Sequence, residues 1–353
     1  MLTTVIEGAV QMQVATIGLD LAKHWFQVHG VDASGVAVIR RRLKRSEVLA
    51  FFGEVEPCLV GIEACASSHY WAREIARFGH TVRLMPPAYV KPYVKRGKND
   101  AADAEAICEA VARPNMRFVA VKTPEQQGFL LLHRARRLLV RQRTMTACAI
   151  RSHLAEFGFV VGQGIGRVEP MLRRIEEEGA DKLPQEVRDI LAMLATQLAA
   201  VGEQIARIEA LIEVAHRSNP VSRLITTIPG IGPITATAIA ATVPDASAFR
   251  TGRDFAAWLG LTPRQNSSGG KDRLGGITKR GDTYLRHLLF IGARNVIRYP
   301  KARAAAGAAW IDALVARRSK TVAAVALANK MARIAWAMMM TGEVYRSARE
   351  VAA

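Results

Sequence analysis

The sequence predicts an α/β N-terminal domain built on a mixed sheet with helices, then a region of long helices with coiled-coil spacing, then a mainly α C-terminal domain. Three observations carry this. Short apolar runs of β character, closed by turn residues or prolines, crowd into residues 14–85. Two stretches, 124–157 and 183–217, repeat apolar residues at three- and four-residue steps. Beyond them, Ala-rich helical segments alternate with glycine turns. At 353 residues the chain is long enough for two or three cores. The boundaries expected are 12–122, 123–218 and 219–345.

Val14-Ala-Thr-Ile-Gly-Leu-Asp20 reads as a first strand ending in a carboxylate, and Trp25-Phe-Gln-Val-His-Gly-Val31 as a second. Val36-Ala-Val-Ile39 is a third, with Asp32-Ala-Ser-Gly35 as the hairpin turn. A helix follows over 46–53 with Ser46 as its N-cap. Cys58-Leu-Val-Gly-Ile-Glu63 is a continuous apolar run, as in a strand covered on both faces. Ser67 or Ser68 caps a helix that runs to about Phe78 and ends at Gly79. Thr81-Val-Arg-Leu-Met85 is a fifth strand, stopped by Pro86 and Pro87.

Next comes Lys98-Asn-Asp-Ala-Ala-Asp-Ala-Glu-Ala-Ile107, an Ala-rich helix former. Asp100 and Asp103 fall on one helical face. Such a pair on its own is commonly a solvated acidic turn. Asp20 and Glu63 each end a strand upstream, and the order β-β-β-α-β-α-β-α is the ribonuclease H-like arrangement, in which these positions converge at one sheet edge. Four carboxylates there suit two divalent ions in phosphoryl transfer.

The helix expected over 124–157 is dense in arginine, including Arg136, Arg137 and Arg141. It reads either as a solvated basic face or as a contact to a nucleic-acid backbone. The stretch 183–217 places Leu191, Leu194, Leu198, Val201, Ile205, Ile208 and Ile212 on a heptad-like seam. That seam fits a coiled-coil arm pairing subunits, or a hairpin onto the chain's own arginine-rich helix. Ile228-Pro-Gly-Ile-Gly-Pro-Ile-Thr235 resembles a helix-hairpin-helix turn, whose amides at Gly230 and Gly232 receive a phosphate. A polar glycine-rich loop over 261–281 sets Ser267 and Ser268 among Arg264, Lys271, Arg273, Lys279 and Arg280. A serine there is a candidate nucleophile, with Asp272 or Asp282 as the only nearby candidate bases.

Composition narrows the partner. Against 31 Asp and Glu stand 49 Lys and Arg, a net charge of +18 and a pI near 10.3. That excess favours a polyanion, nucleic acid first. Cys58, Cys65, Cys108 and Cys148 lack CxxC spacing, which argues against a zinc site or disulfide framework. No signal-peptide pattern opens the sequence, and the apolar stretch 321–340 is broken by Lys330 and Arg333. A cytoplasmic protein with no membrane partner is the expectation.

Taken together, Gly18-Leu-Asp20, Gly61-Ile-Glu63, Lys98-Asn-Asp-Ala-Ala-Asp103, Ile228-Pro-Gly-Ile-Gly232 and the block from Ser267-Ser268-Gly-Gly-Lys to Leu285-Arg286 resemble the DEDD-type transposases of insertion sequences. That group includes the Piv/MooV invertases and has the bridge-RNA-guided recombinases as relatives. The resemblance implies a RuvC-like domain whose Asp20, Glu63, Asp100 and Asp103 bind Mg²⁺ or Mn²⁺. It implies a C-terminal transposase domain whose serine, Ser268 or its neighbour Ser267, attaches to DNA. It further implies donor and target DNA, a structured guide RNA from the element, and a homodimer or homotetramer. The rival reading is a RuvC-like, metal-dependent, structure-specific nuclease with water as the nucleophile.

Overall fold

The computed structural model describes residues 13–95, 99–178, 182–271 and 273–346. Lys98, the first residue of the acidic-helix motif, Asp272 and the expected domain start at residue 12 lie outside them. The chain divides into two compact units, Met1–Thr123 and Pro124–Ala353.

The first unit holds a five-stranded mixed sheet in the order β3-β2-β1-β4-β5. Its strands are β1 (Thr16–Leu21), β2 (Trp25–Val31), β3 (Ala37–Lys44), β4 (Leu59–Glu63) and β5 (Thr81–Met85). β1 runs antiparallel to β2 and parallel to β4, and β4 runs parallel to β5. The helices are α1 (Val48–Glu54), α2 (Ser68–Ala76), α3 (Pro87–Val90) and α4 (Asp100–Val111). One sheet face carries Ile17, Leu19, Val60 and Ile62 into a core with Phe52, Trp71 and Ile75. The other face receives α4.

Three local expectations change. β3 continues past Ile39 through Arg40, Arg41 and Arg42 to Lys44, because an edge strand tolerates charge on its exposed side. Ser46 is not a cap. α1 starts at Val48, and the Glu47 carboxylate instead accepts the Lys44 N–H at 2.8 Å. Ser67 stands at the α2 N-cap without a side-chain cap bond, in a left-handed conformation with φ +70°. Ser68 turns its hydroxyl back onto the Cys65 carbonyl at 2.9 Å.

The second unit is helical. It comprises α5 (Pro124–Glu156), α6 (Val168–Glu178), α7 (Gln185–Ser218), α8 (Pro220–Ile225), α9 (Pro233–Thr242), α10 (Gly252–Trp258), α11 (Thr283–Arg298), α12 (Pro300–Ala305), α13 (Ala308–Arg317) and α14 (Lys320–Thr341). A short hairpin of β6 (Pro263–Gln265) and β7 (Leu274–Ile277) interrupts the helices. The seam of α7 packs within the chain: Leu191 joins Ala147, Ile150 and Leu154 of α5, and Val201, Ile205 and Ile212 are buried. Of the two readings of that seam, the structure shows the hairpin onto the chain's own α5. By length and composition α14 could cross a membrane, the one such helix among the described residues. Here its Leu327, Met331 and Ala335 pack into the core with Phe255 and Leu289.

Candidate functional site

The parallel register pairs Gly18 with Gly61, and each glycine precedes a carboxylate by two residues. Side chains alternate along a strand, so Gly18 and Asp20 share one face of β1, as Gly61 and Glu63 share one face of β4. That face is where α4 lies. A Cβ added at Gly18 would stand 2.1 Å from the Ala104 carbonyl oxygen and 2.4 Å from the Cys108 nitrogen. One added at Gly61 would stand 2.7 Å from the Val111 Cβ. Only bare backbone admits the helix so close. Because Cys108 meets positions 16 and 18 and Ala104 meets 18, the first turn of α4 lies toward position 20.

That turn carries Asp100 and Asp103. Asn99 caps it, its side chain accepting the Ala102 N–H at 2.7 Å. The helix dipole favours carboxylates in a first turn, which lets this helix keep two acids on one face.

The four acids feel one another. Burial, then the charges of Asp103, Asp100 and Glu63, push the Asp20 carboxyl up to about 6. Burial and then Asp103 raise Glu63. Cys65 reports the same field: partial burial, then Glu63 and Asp20, raise its thiol and keep it protonated at neutral pH. Among the described residues no three carboxylate, histidine or cysteine side chains stand close enough, as placed, to cage an ion. Mutual repulsion of the carboxylates acts against such closure. The donor set itself is all oxygen and comes from three elements, and its two strand members, Asp20 and Glu63, hold protons more tightly than isolated carboxylates do. These residues fit a hard divalent cation.

The segment expected as a loop over 261–281 is a clamped β-hairpin. Gly269 and Gly270 form its tip with φ of +57° and +76°, the two positive values a type I′ turn requires. Ser268 bridges to Lys271, and Ser267 Oγ accepts the Arg273 N–H at 3.2 Å. Both serines are exposed, as are Arg264, Lys271, Arg273, Lys279 and Arg280. The base is tight: a Cβ at Gly260 would meet the Arg280 carbonyl at 2.0 Å, and one at Gly281 the Trp258 carbonyl at 1.8 Å. Arg286 staples it, donating to the Leu259 carbonyl at 2.8 Å. Asp282 is no candidate base here, since its carboxylate caps α11 by accepting the N–H groups of Tyr284 and Leu285.

On α5, Arg137 and Arg141 are exposed, whereas Arg136 holds Glu209 of α7 at 2.6 Å and is mostly covered. Arg136 therefore departs from the expected free basic face. Gly230 also has a packing role: its φ is +90°, and an added Cβ would strike Val296 at 2.7 Å. Gly232, with open space around it, precedes the N-terminus of α9.

Sequence reading missed the buried network behind the hairpin. His133 of α5 lies between Tyr284 and Thr237, with Nδ1 3.2 Å from the tyrosine hydroxyl and Nε2 3.1 Å from Thr237 Oγ1. The Thr237 hydroxyl donates to the Pro233 carbonyl at 2.7 Å. The consistent assignment is a neutral imidazole that donates from Nε2 and accepts at Nδ1. Burial, then Arg136, lowers its pKa to about 4. The only sequence signal was a His set between leucine and arginine in the arginine-rich helix.

Residues 222–307 match the family model described as "Transposase IS116/IS110/IS902 family", and residues 17–159 match the IS110 DEDD model described as "Transposase". The chain is 49% identical over 336 residues to a probable family 20 transposase of Pseudomonas aeruginosa, covering 95% of this chain and 99% of that one. It is 39% identical to the transposase for insertion sequence element IS1328 of Yersinia enterocolitica, covering 94% and 98%. It is 38% identical to the transposase for insertion sequence element IS1111A of Coxiella burnetii, covering 94% and 92%. The chain belongs to the IS110/IS116 family of insertion-sequence transposases.

Proposed function

We propose that this transposase cuts and rejoins element-end and target DNA with a metal-binding tetrad of Asp20, Glu63, Asp100 and Asp103 and a serine nucleophile, Ser268 or its neighbour Ser267. The observation that carries this reading is the paired Gly18/Asp20 and Gly61/Glu63 beneath the first turn of α4. Bare backbone at both glycines lets two strand carboxylates and two helix carboxylates share one field. Mg²⁺ or Mn²⁺ held there would neutralise a phosphate and favour loss of a hydroxyl proton.

The serine oxygen bonds to phosphorus as the bond from phosphorus to a sugar oxygen breaks, and the hydroxyl proton ends on that leaving oxygen. The phosphoserine conserves the bond energy, so attack by a DNA hydroxyl rejoins a strand and restores the serine. Lys271, Arg273 and Lys279 neutralise the phosphate at the exposed tip, and the clamp at Gly260, Gly281 and Arg286 fixes its base. Resemblance to the bridge-RNA-guided recombinases supports a guide RNA that pairs with both DNAs. A homodimer or homotetramer follows from strand exchange on two duplexes. Leu131, Leu138 and Met145, spaced by seven on α5 and 64%, 56% and 60% exposed, support a second copy as partner.

Asp100→Asn tests the tetrad, because its exposed side chain leaves the fold standing. Recombination is expected to vanish while the melting temperature holds or rises slightly, since one like charge has gone. Equal Mg²⁺ binding by wild type and variant in calorimetry would remove Asp100 from the site.

A further inference from the structure

Beside the acids, at the same sheet edge, lies a cavity of about 850 Å³ of opposite character. β1 and β4 end at this edge, β2 begins there, and β3 ends there with Lys44. The cavity is lined by His24, Trp25, Lys44, Arg45, Tyr70 and Trp71 among others, and no lining residue is acidic. Its volume falls in the range of about 300–1,000 Å³ usual for small-molecule pockets.

Its rings are set as platforms. Trp25 and Tyr70 are 37% and 43% exposed, unusual for large aromatics that serve only a core. The Arg42 guanidinium lies 4.5 Å from the Trp25 ring centre, and that of Arg45 lies 5.0 Å from the Trp71 ring centre. Trp71 is nearly buried, edge-on to Phe26 at 4.9 Å and to Tyr70 at 5.2 Å, and its indole N–H has no acceptor among the described residues. Ser67, in the wall, holds the left-handed backbone noted above, a strain that clusters at ligand sites.

Exposed rings interleaved with cations, and no carboxylate, match the way proteins hold unpaired nucleotides: a base stacks on the ring and the phosphate meets the cation. We propose that this cavity binds one unpaired nucleotide of a single strand, with its base on Trp25 and Tyr70 and its phosphate at Lys44 and Arg45. A base paired and stacked inside a duplex has no free face to lay on these rings. The site needs no metal chemistry, so its failure would leave the tetrad untouched. A strand anchored there would be held at the sheet edge that carries Asp20 and Glu63.

The test uses the full chain in EDTA with a labelled 15-nucleotide DNA, the same sequence as RNA, and a blunt DNA duplex. Trp25→Ala and Tyr70→Ala should each weaken single-strand binding by about five- to hundredfold, as loss of one stacking ring does, with duplex binding unchanged. Trp25→Phe and Tyr70→Phe should retain most of the affinity. In the unaltered protein, a strand carrying 5-iodouracil should photocross-link to Trp25 or Tyr70, read by mass spectrometry. Preference for the RNA or for the DNA would name the strand the cavity takes, and either supports the proposal. Unchanged single-strand affinity in both alanine variants, or cross-links confined to other residues, would overturn it and leave the rings as packing for the β2–β3 edge.

Discussion

Gly18→Ala adds one methyl group and tests how the site is assembled. Its Cβ would stand 2.1 Å from the Ala104 carbonyl oxygen, where ordinary contact begins at 3.4 Å, so α4 must retreat by about 1.3 Å. Both partners there are backbone, so no flexible side chain can absorb the clash. Overpacking of this kind costs about 1–3 kcal/mol of stability. The retreat carries Asp100 and Asp103 away while Asp20 and Glu63 stay on their strands. Misplacement by about 1 Å lowers a rate by roughly a hundredfold. An NMR titration of Asp20 supplies a readout independent of activity. With the helix carboxylates further off, its pKa should fall below the value near 6 while burial still holds it above 3.8. Gly128→Ala is the control, since its added Cβ meets nothing within 4 Å. Wild-type recombination, Mg²⁺ affinity and Asp20 titration in Gly18→Ala would refute the claim that bare backbone at this position sets the acids.

Three further outcomes are expected. His133 stays neutral in the folded chain down to about 4 against an ordinary value of 6.5, so above 6.5 it is neutral in both states and costs nothing. As pH falls from 6.5 towards 4 only the unfolded chain gains the proton, and stability falls by on the order of 3 kcal/mol. His133→Gln should flatten denaturant midpoints between pH 7.5 and 4.5, and an unchanged pH slope would count against the neutral buried imidazole. Replacing exposed Arg134, Arg137 and Arg141 with Gln should flatten the plot of log affinity against log salt by about 0.9 per lost phosphate contact. The same slope in the triple variant would make this a solvated face. Leu131, Leu138 and Met145 changed together to Gln should lower the oligomeric mass in light scattering, and an unaltered mass would place the subunit contact elsewhere.

Much of the first unit was legible because its signals are local. The strand from Trp25 to Val31 and the strand from Thr81 to Met85 have the bounds that their apolar runs and flanking turns or prolines predict. What escaped depends on contacts far apart in sequence. Gly18 and Gly61 looked like members of a motif, yet their reason is a helix over eighty residues after Gly18 that rests against bare backbone. The extension of β3 comes from pairing with β2 and from Arg42 stacked on Trp25, which no period-two pattern in the strand itself records. The serine segment reads as a polar loop because its order lies in backbone clamps at Gly260 and Gly281. Similarly, the heptad seam of α7 could not name its partner, because two helices of one chain and two chains bury the same stripe. Arg136 looked like its neighbours until its turn on the helix set it against Glu209.

Strand transfer through a serine bonded to DNA leaves a covalent adduct that can be caught directly. Purified protein, element-end DNA, target DNA, guide RNA and Mg²⁺ are stopped in denaturant, run on a denaturing gel, and the retarded band is digested for mass spectrometry. A phosphodiester-linked nucleotide is expected on Ser268 or Ser267, lost in the Ser267→Ala/Ser268→Ala double variant and absent in Asp100→Asn. Cleaved and rejoined DNA from the double variant, with no adduct at either serine, would contradict it and assign the cut to a water molecule.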